Sequence, residues 1–243
     1  HLRICVEAGL DPVSAIRMAT LNAAECWHLN DRGAIAPGLR ADIVLLDDLK
    51  EFHVHKVWLQ GKLCSIDNTY LPEVHRHDIS AVKGSVHLKD FSADRLRLPL
   101  KSDYAHVIQI VPGGVVSENR VVRVRRDENG EFVRDPAVDI VKVAVVERHQ
   151  YTGNVAVALL GGYGIRHGAV ALSVAHDSHN IIVVGVSDDE MACAVKALAE
   201  QEGGIVLVRD GKVIERMPMP VAGLMSDQSG RWVDEKLTAI HEA

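Results

Sequence analysis

Residues 176–180 read His-Asp-Ser-His-Asn and open directly onto Ile181-Ile182-Val183-Val184-Gly185. The apolar run has the length and β-branched content of a buried strand. Such a strand ordinarily begins with one turn residue, not with a series of groups that ionise or hydrogen bond. Polar groups at its rim must find partners or face an opening, because each one left dry and unpaired costs roughly 1–3 kcal/mol. The chain has to fold so that this end of the strand is a polar junction or the wall of a site.

The pattern around it is mostly strand. Ala105–Val111, Asn119–Arg126, Val138–Arg148, Val155–Leu160 and Ala169–Val174 read as strands, and Asn129-Gly130 is a strong turn dipeptide. Gly161-Gly162-Tyr163-Gly164 lacks the spacing of a dinucleotide or phosphate fingerprint and reads as a bend. Ser187 to Glu190 form a capping box for a helix running to Glu202, which Gly203-Gly204 ends. Ile205–Arg209 and Lys212–Glu215 form a hairpin about Asp210-Gly211, and Pro218 and Pro220 lead into a polar tail.

Upstream, residues 1–10 read as a helix closing at Gly9, and Asp11-Pro12 restart one with the aspartate as cap. Thr20–Trp27 reads as a further short helix capped by Thr20 or Asn22. Ala41–Asp47 is a strand, and Val54–Leu59 with Lys62–Ile66 make a hairpin about Gln60-Gly61. Pro72, His75-Arg76-His77-Asp78 and Pro99 mark a connection. The expected fold class is α+β: a helical start, a small β-unit to about residue 66, and an α+β domain from about residue 100. The start at His1, in mid-helix and without a methionine, is expected for a fragment.

Composition removes several functions. A net charge of −6 favours neither nucleic acid nor an anionic membrane as partner, and 4% aromatic residues offer no base-stacking platform. No apolar run approaches the roughly 18–20 residues that cross a bilayer. Cys5, Cys26, Cys64 and Cys193 form no C-x-x-C pair, so neither zinc knuckle nor redox pair is supported, and a cytoplasmic location is expected. The histidine, glutamate and P-C-x-x-C signature of zinc nucleobase deaminases is absent.

Each candidate site has a bland alternative. His53-Val54-His55 would put two ligands on one strand face but has no third ligand nearby, so an exposed face is expected; His75-Arg76-His77 reads likewise. Arg120, Arg123, Arg125 and Arg126 read as a solvated face. Glu147-Arg148-His149 reads as an internal ion pair or the rim of a site, and Gly223–Asp227 as a loop able to close over a neighbour. For His176, Asp177, Ser178, His179 and Asn180 three readings stay open: groups on the substrate side of a site, a structural polar turn, or direct metal ligands.

Two stretches carry a resemblance. Pro12–Ala24, followed by Gly33-Ala34-Ile35-Ala36-Pro37-Gly38-Leu39-Arg40-Ala41-Asp42-Ile43-Val44, resembles the end of an amidohydrolase-superfamily enzyme. Ser173–Gly185, with Val145–His149 and Ala222–Asp227, resembles the extra C-terminal domain of the bacterial adenine deaminases. The resemblance implies closing helices of a barrel (1–32), part of a small β-sandwich (33–70), a connection (71–100) and an appended mixed α/β C-terminal domain (101–243). It also implies hydrolysis of adenine to hypoxanthine and ammonia in a homo-oligomeric intact enzyme that uses a divalent metal, manganese or iron. Metal-bound water, with a pKa near about 7, would supply the hydroxide. The family's metal ligands would precede residue 1, so this chain alone is expected to be inactive and to bind no metal strongly. Another amidohydrolase, or a stand-alone non-catalytic module that binds a purine or a partner subunit, remains the alternative.

Overall fold

Short-range signals decide the first helices. Asp11 accepts a hydrogen bond from the Ser14 amide at 2.9 Å and Pro12 takes the first helical position, so the chain closes α1 (Leu2–Glu7) and restarts as α2 (Pro12–Arg17). It then continues without a break through a π-helical turn, Met18–Asn22, into α3 (Ala23–Cys26). The expected fresh cap at Thr20 or Asn22 does not form. Thr20 instead donates back to the Ile16 carbonyl at 2.7 Å, as a threonine inside a helix does. An antiparallel sheet follows, β1 (Ile43–Leu46), β2 (Val54–Leu59), β3 (Lys62–Ile66) and β4 (Thr69–Tyr70), in that order. Its central hairpin turns through Gln60 and Gly61, both at positive φ.

This computed structural model describes residues 1–243 as two units, His1–His77 and Asp78–Ala243. In the second, 3-10 turns at Ser80–Val82 and Ala93–Leu96 precede β5 (Tyr104–Ile110), β6 (Ser117–Arg123), β7 (Arg125–Arg126) and β8 (Phe132–Val133). There follow β9 (Ile140–Val146), β10 (Val155–Gly161), β11 (Ala169–Leu172), β12 (Ile181–Gly185) and α4 (Asp188–Glu200). β13 (Gly204–Arg209), β14 (Lys212–Pro218) and α5 (Gly230–Glu242) end the chain. Eight strands form one sheet in the order β14-β13-β11-β12-β9-β10-β5-β6, all antiparallel pairs except β10 with β5. The chain is therefore mixed α and β, with several sheets and few helices.

α4 covers the β14-β13-β11-β12 half of this sheet. Met191, Ala194, Val195 and Leu198 recur at helical spacing, are fully buried, and pack on Ile181, Val183 and Val206. Gly185 permits the close approach, since a Cβ there would lie 2.5 Å from Met191 Cγ and 2.8 Å from Ala169 Cβ. The weakly patterned stretch 78–100 joins the same core: Leu96 is fully buried, and Val86, Leu88 and Phe91 pack beside it. The Ser187 hydroxyl accepts from the Glu190 amide at 3.3 Å, but Glu190 does not complete the box and instead takes the Asp210 amide at 2.8 Å. The expected strand 119–126 is broken at Val124, a buried residue whose amide donates to the Asp103 carbonyl. The polar tail after Pro220 is in fact α5, capped by Ser229 and tied to β14 through Lys236 and Glu215 at 3.0 Å.

Lys142 on β9 is 7% exposed, and its Nζ donates to Glu131 at 2.6 Å, to Asp188 at 2.9 Å and to the Leu96 carbonyl at 3.1 Å. Burial pushes the Asp188 carboxyl up, and the Lys142 ammonium opposes it. Removing the lysine would strand two carboxylates. Lys142→Ala is expected to lower unfolding free energy by about 3–5 kcal/mol, measured by urea denaturation.

Candidate functional site

β11 and β12 run antiparallel, and Ile181 pairs with Val146, so the connection 173–180 emerges beside the residues that follow β9. Its first part is anchored. Ser173 is fully buried, and its hydroxyl donates to the Gly223 carbonyl at 2.6 Å while accepting from the Gly204 amide at 2.7 Å. The connection then folds back on itself, with the His179 amide donating to the Ala175 carbonyl at 2.6 Å.

His176, Asp177 and Ser178 stand at the tip of this turn and are exposed. His176 Nδ1 meets Asp177 Oδ1 at 2.5 Å, but with both side chains more than four-fifths exposed the pair contributes little to stability. His179 and Asn180 lie deeper. His179 Nδ1 and Asn180 Oδ1 are buried without hydrogen-bond partners, on consecutive residues. Polar atoms in that state are uncommon, and the others here, Arg134 Nε and Gln201 Oε1, do not lie on neighbouring residues.

Arg148 and His149 reach this loop while Glu147 holds its own turn, and Glu147 and Arg148 do not pair with each other. Alternation past β9 sends them to opposite sides, so the expected internal ion pair does not form. Glu147 takes the amides of His149, Gln150 and Thr152 and the Thr152 hydroxyl, at 2.5–2.9 Å. Desolvation pushes its carboxyl up, but those hydrogen bonds outweigh it and bring the pKa from 4.5 down to about 2. His149 Nε2 lies 2.9 Å from the Ser178 carbonyl.

Arg148 is 1% exposed, and burial lowers its pKa from the usual arginine range. Its Nε donates to the His179 carbonyl at 2.6 Å, Nη1 to the Ser85 carbonyl at 3.1 Å and Nη2 to the Ala222 carbonyl at 3.2 Å. The Gly223 turn packs against the guanidinium: a Cβ at Gly223, where φ is +70°, would lie 2.6 Å from Nη1. The three stretches singled out in the sequence, 147–149, 176–180 and 222–227, thus meet at one end of the sheet. Sequence reasoning missed that Arg148 joins them.

The histidine pairs upstream behave differently. His55 Nδ1 lies 2.8 Å from Asp67, and His53 Nδ1 lies 3.5 Å from Asp48, so each ring turns to its own carboxylate. His75 and His77 are exposed, and Arg120, Arg125 and Arg126 pair with Glu118, Asp135 and Asp103 on the surface. No three His, Cys, Asp or Glu side chains converge as a metal-binding set, so the residues of this chain do not fit the divalent metal implied by the resemblance.

Comparison with known proteins decides the family. The profile of the adenine deaminase C-terminal domain matches residues 114–243. The chain belongs to the adenine deaminase C-terminal domain family. The amidohydrolase family profile matches residues 1–64. Adenine deaminase 2 of Desulfotalea psychrophila is 64% identical over 241 residues, which are 99% of this chain and 42% of that protein. The adenine deaminases of Ligilactobacillus salivarius and Nitratidesulfovibrio vulgaris (strain DP4) are 48% and 47% identical, each over 100% of this chain and 42% of their own length. The chain thus spans about two fifths of the length of these relatives.

The profile of the adenine deaminase C-terminal domain includes the whole 147–152 turn, and Glu147 sets the acid limit of that turn. Because its folded pKa is depressed, its stabilisation is complete above the unfolded value of 4.5 and is lost as pH falls through the folded value of about 2. Urea unfolding across a pH series is expected to show wild type more stable than Glu147→Gln near neutrality, with the gap closing between those two values.

Proposed function

We propose that this chain is the C-terminal part of an adenine deaminase, an enzyme that hydrolyses the exocyclic C–N bond of adenine. A water oxygen becomes the C6 oxygen of hypoxanthine, and the amine leaves as ammonia. The observation that carries this reading is similarity along essentially the whole chain to proteins named adenine deaminase, with each match covering 42% of that protein.

Residues 1–32 are then read as closing helices of an amidohydrolase barrel and residues 33–70 as part of its β-sandwich. Exposed apolar side chains in this unit support that reading, since Ile4, Val13, Trp27 and Ile35 are 61–83% exposed. Large apolar groups left this open are of the kind that another part of a fold covers. The second unit contributes the 176–180 loop to the border of the adenine site. Its exposed His176, Asp177 and Ser178, with the unpartnered polar atoms of His179 and Asn180, supply donors and acceptors suited to a purine edge. The ligands for a metal are read as lying outside this chain, whose own residues do not converge on one.

Purified chain, incubated with adenine and manganese or ferrous iron, is expected to release no ammonia, whereas the intact enzyme containing it does. In the intact enzyme, His176→Ala, Ser178→Ala and His179→Ala should include at least one variant with adenine KM raised about tenfold, the worth of one lost hydrogen bond of about 1.4 kcal/mol. Metal-dependent turnover by the chain alone would overturn the inactivity. Unchanged kinetics in all three variants, with lowered stability, would return the loop to a structural turn.

A further inference from the structure

Arg148 carries a full charge in a place closed to water, yet its hydrogen-bond partners include no carboxylate. Its partners are the His179, Ser85 and Ala222 carbonyls and the Ser85 hydroxyl, from segments 31, 63 and 74 residues away. A well-packed apolar side chain would serve the core as well or better. The acceptors show another use, because all lie in irregular chain and none in the sheet. Two of them have a further feature in common. His179 and Ala222 hold φ of +50° and +56°, the left-handed region that non-glycine residues rarely adopt. Such a residue persists where its surroundings fix it, and here the same guanidinium holds the carbonyl of each. The Arg148 carbonyl accepts from the His87 amide at 2.9 Å, so the arginine is itself fastened from both ends.

We propose that Arg148 is a positioning residue that locks the 176–180 loop against the 221–225 turn and so sets where His179 and Asn180 present their unpartnered atoms to a ligand. The geometry suits arginine alone. Its planar fork donates from three separate nitrogens in fixed directions, whereas a lysine would need all three carbonyls gathered about a single nitrogen. The turn at 221–225 is fitted to that fork, since Val82 accepts from the Ala222 amide at 2.7 Å and Gly223 leaves no room for a side chain between itself and the guanidinium. The inference rests on the reading that the loop borders adenine.

The test has two readouts. Hydrogen exchange on this chain is expected to show that Arg148→Met speeds the amides of 176–180 and 221–225 about tenfold or more while β9 and β12 keep their protection, with Arg148→Lys in between. Gly223→Ala, which displaces the guanidinium without removing it, should loosen the same two segments. In the intact enzyme, Arg148→Met should raise adenine KM about tenfold and leave kcat within about threefold, with partial recovery in Arg148→Lys. Faster exchange spread evenly over the sheet, or none at the two loops, overturns the proposal. If His179→Ala raises KM and Arg148→Met does not, positioning by Arg148 is wrong and the site reading stands. If neither raises it, the site reading itself has failed.

Discussion

A guanidinium sealed from water has to be surrounded by oxygen atoms, and that requirement shapes one end of the large sheet. Removing such a charge from water costs on the order of several kcal/mol. Arg148 meets the cost with carbonyl dipoles drawn from three separate segments, so those segments must converge on it. Ser173 reinforces the arrangement from beneath by tying Gly223 to Gly204. The polar loop ahead of β12 is therefore built on backbone groups, and its side chains are left free for other work.

The opposite end of β9 solves a similar problem by another means. There Lys142 is buried among two carboxylates and a carbonyl, close to the first turn of α4. Three residues separate it from Val146, and Glu147 then precedes the arginine. Between the two charges the strand is apolar, with Ala144 and Val146 in the core that residues of α4 also enter. A single strand thus contributes to the hydrophobic centre, with one buried cation near its start and another just past its end.

Much of this was legible in the sequence where causes are local. Asp11-Pro12, Ser187, Gln60-Gly61 and Asp210-Gly211 act within four residues, and each forms the cap or turn its chemistry dictates. The polar series 176–180 stood out for the same reason. Long-range causes were not legible. Leu96 sits in a stretch without periodicity and is buried only because α4 and the sheet close over it. The last helix reads as a polar tail because its apolar residues, Trp232, Val233, Leu237 and Ile240, are only half-buried against its surroundings. Arg148 finds its partners through contacts that no window of neighbouring residues contains.

The crowding between Arg148, Gly223 and Gly203 has a genetic consequence. A Cβ at Gly203 would lie 2.6 Å from the Gly223 Cα, and one at Gly223 would strike the guanidinium. The three positions share a single volume, so their tolerances are not independent. A smaller group in place of the arginine would relieve the clash of a methyl at 223, though not the strain of its φ of +70°, so the effects of the two substitutions are expected to be non-additive.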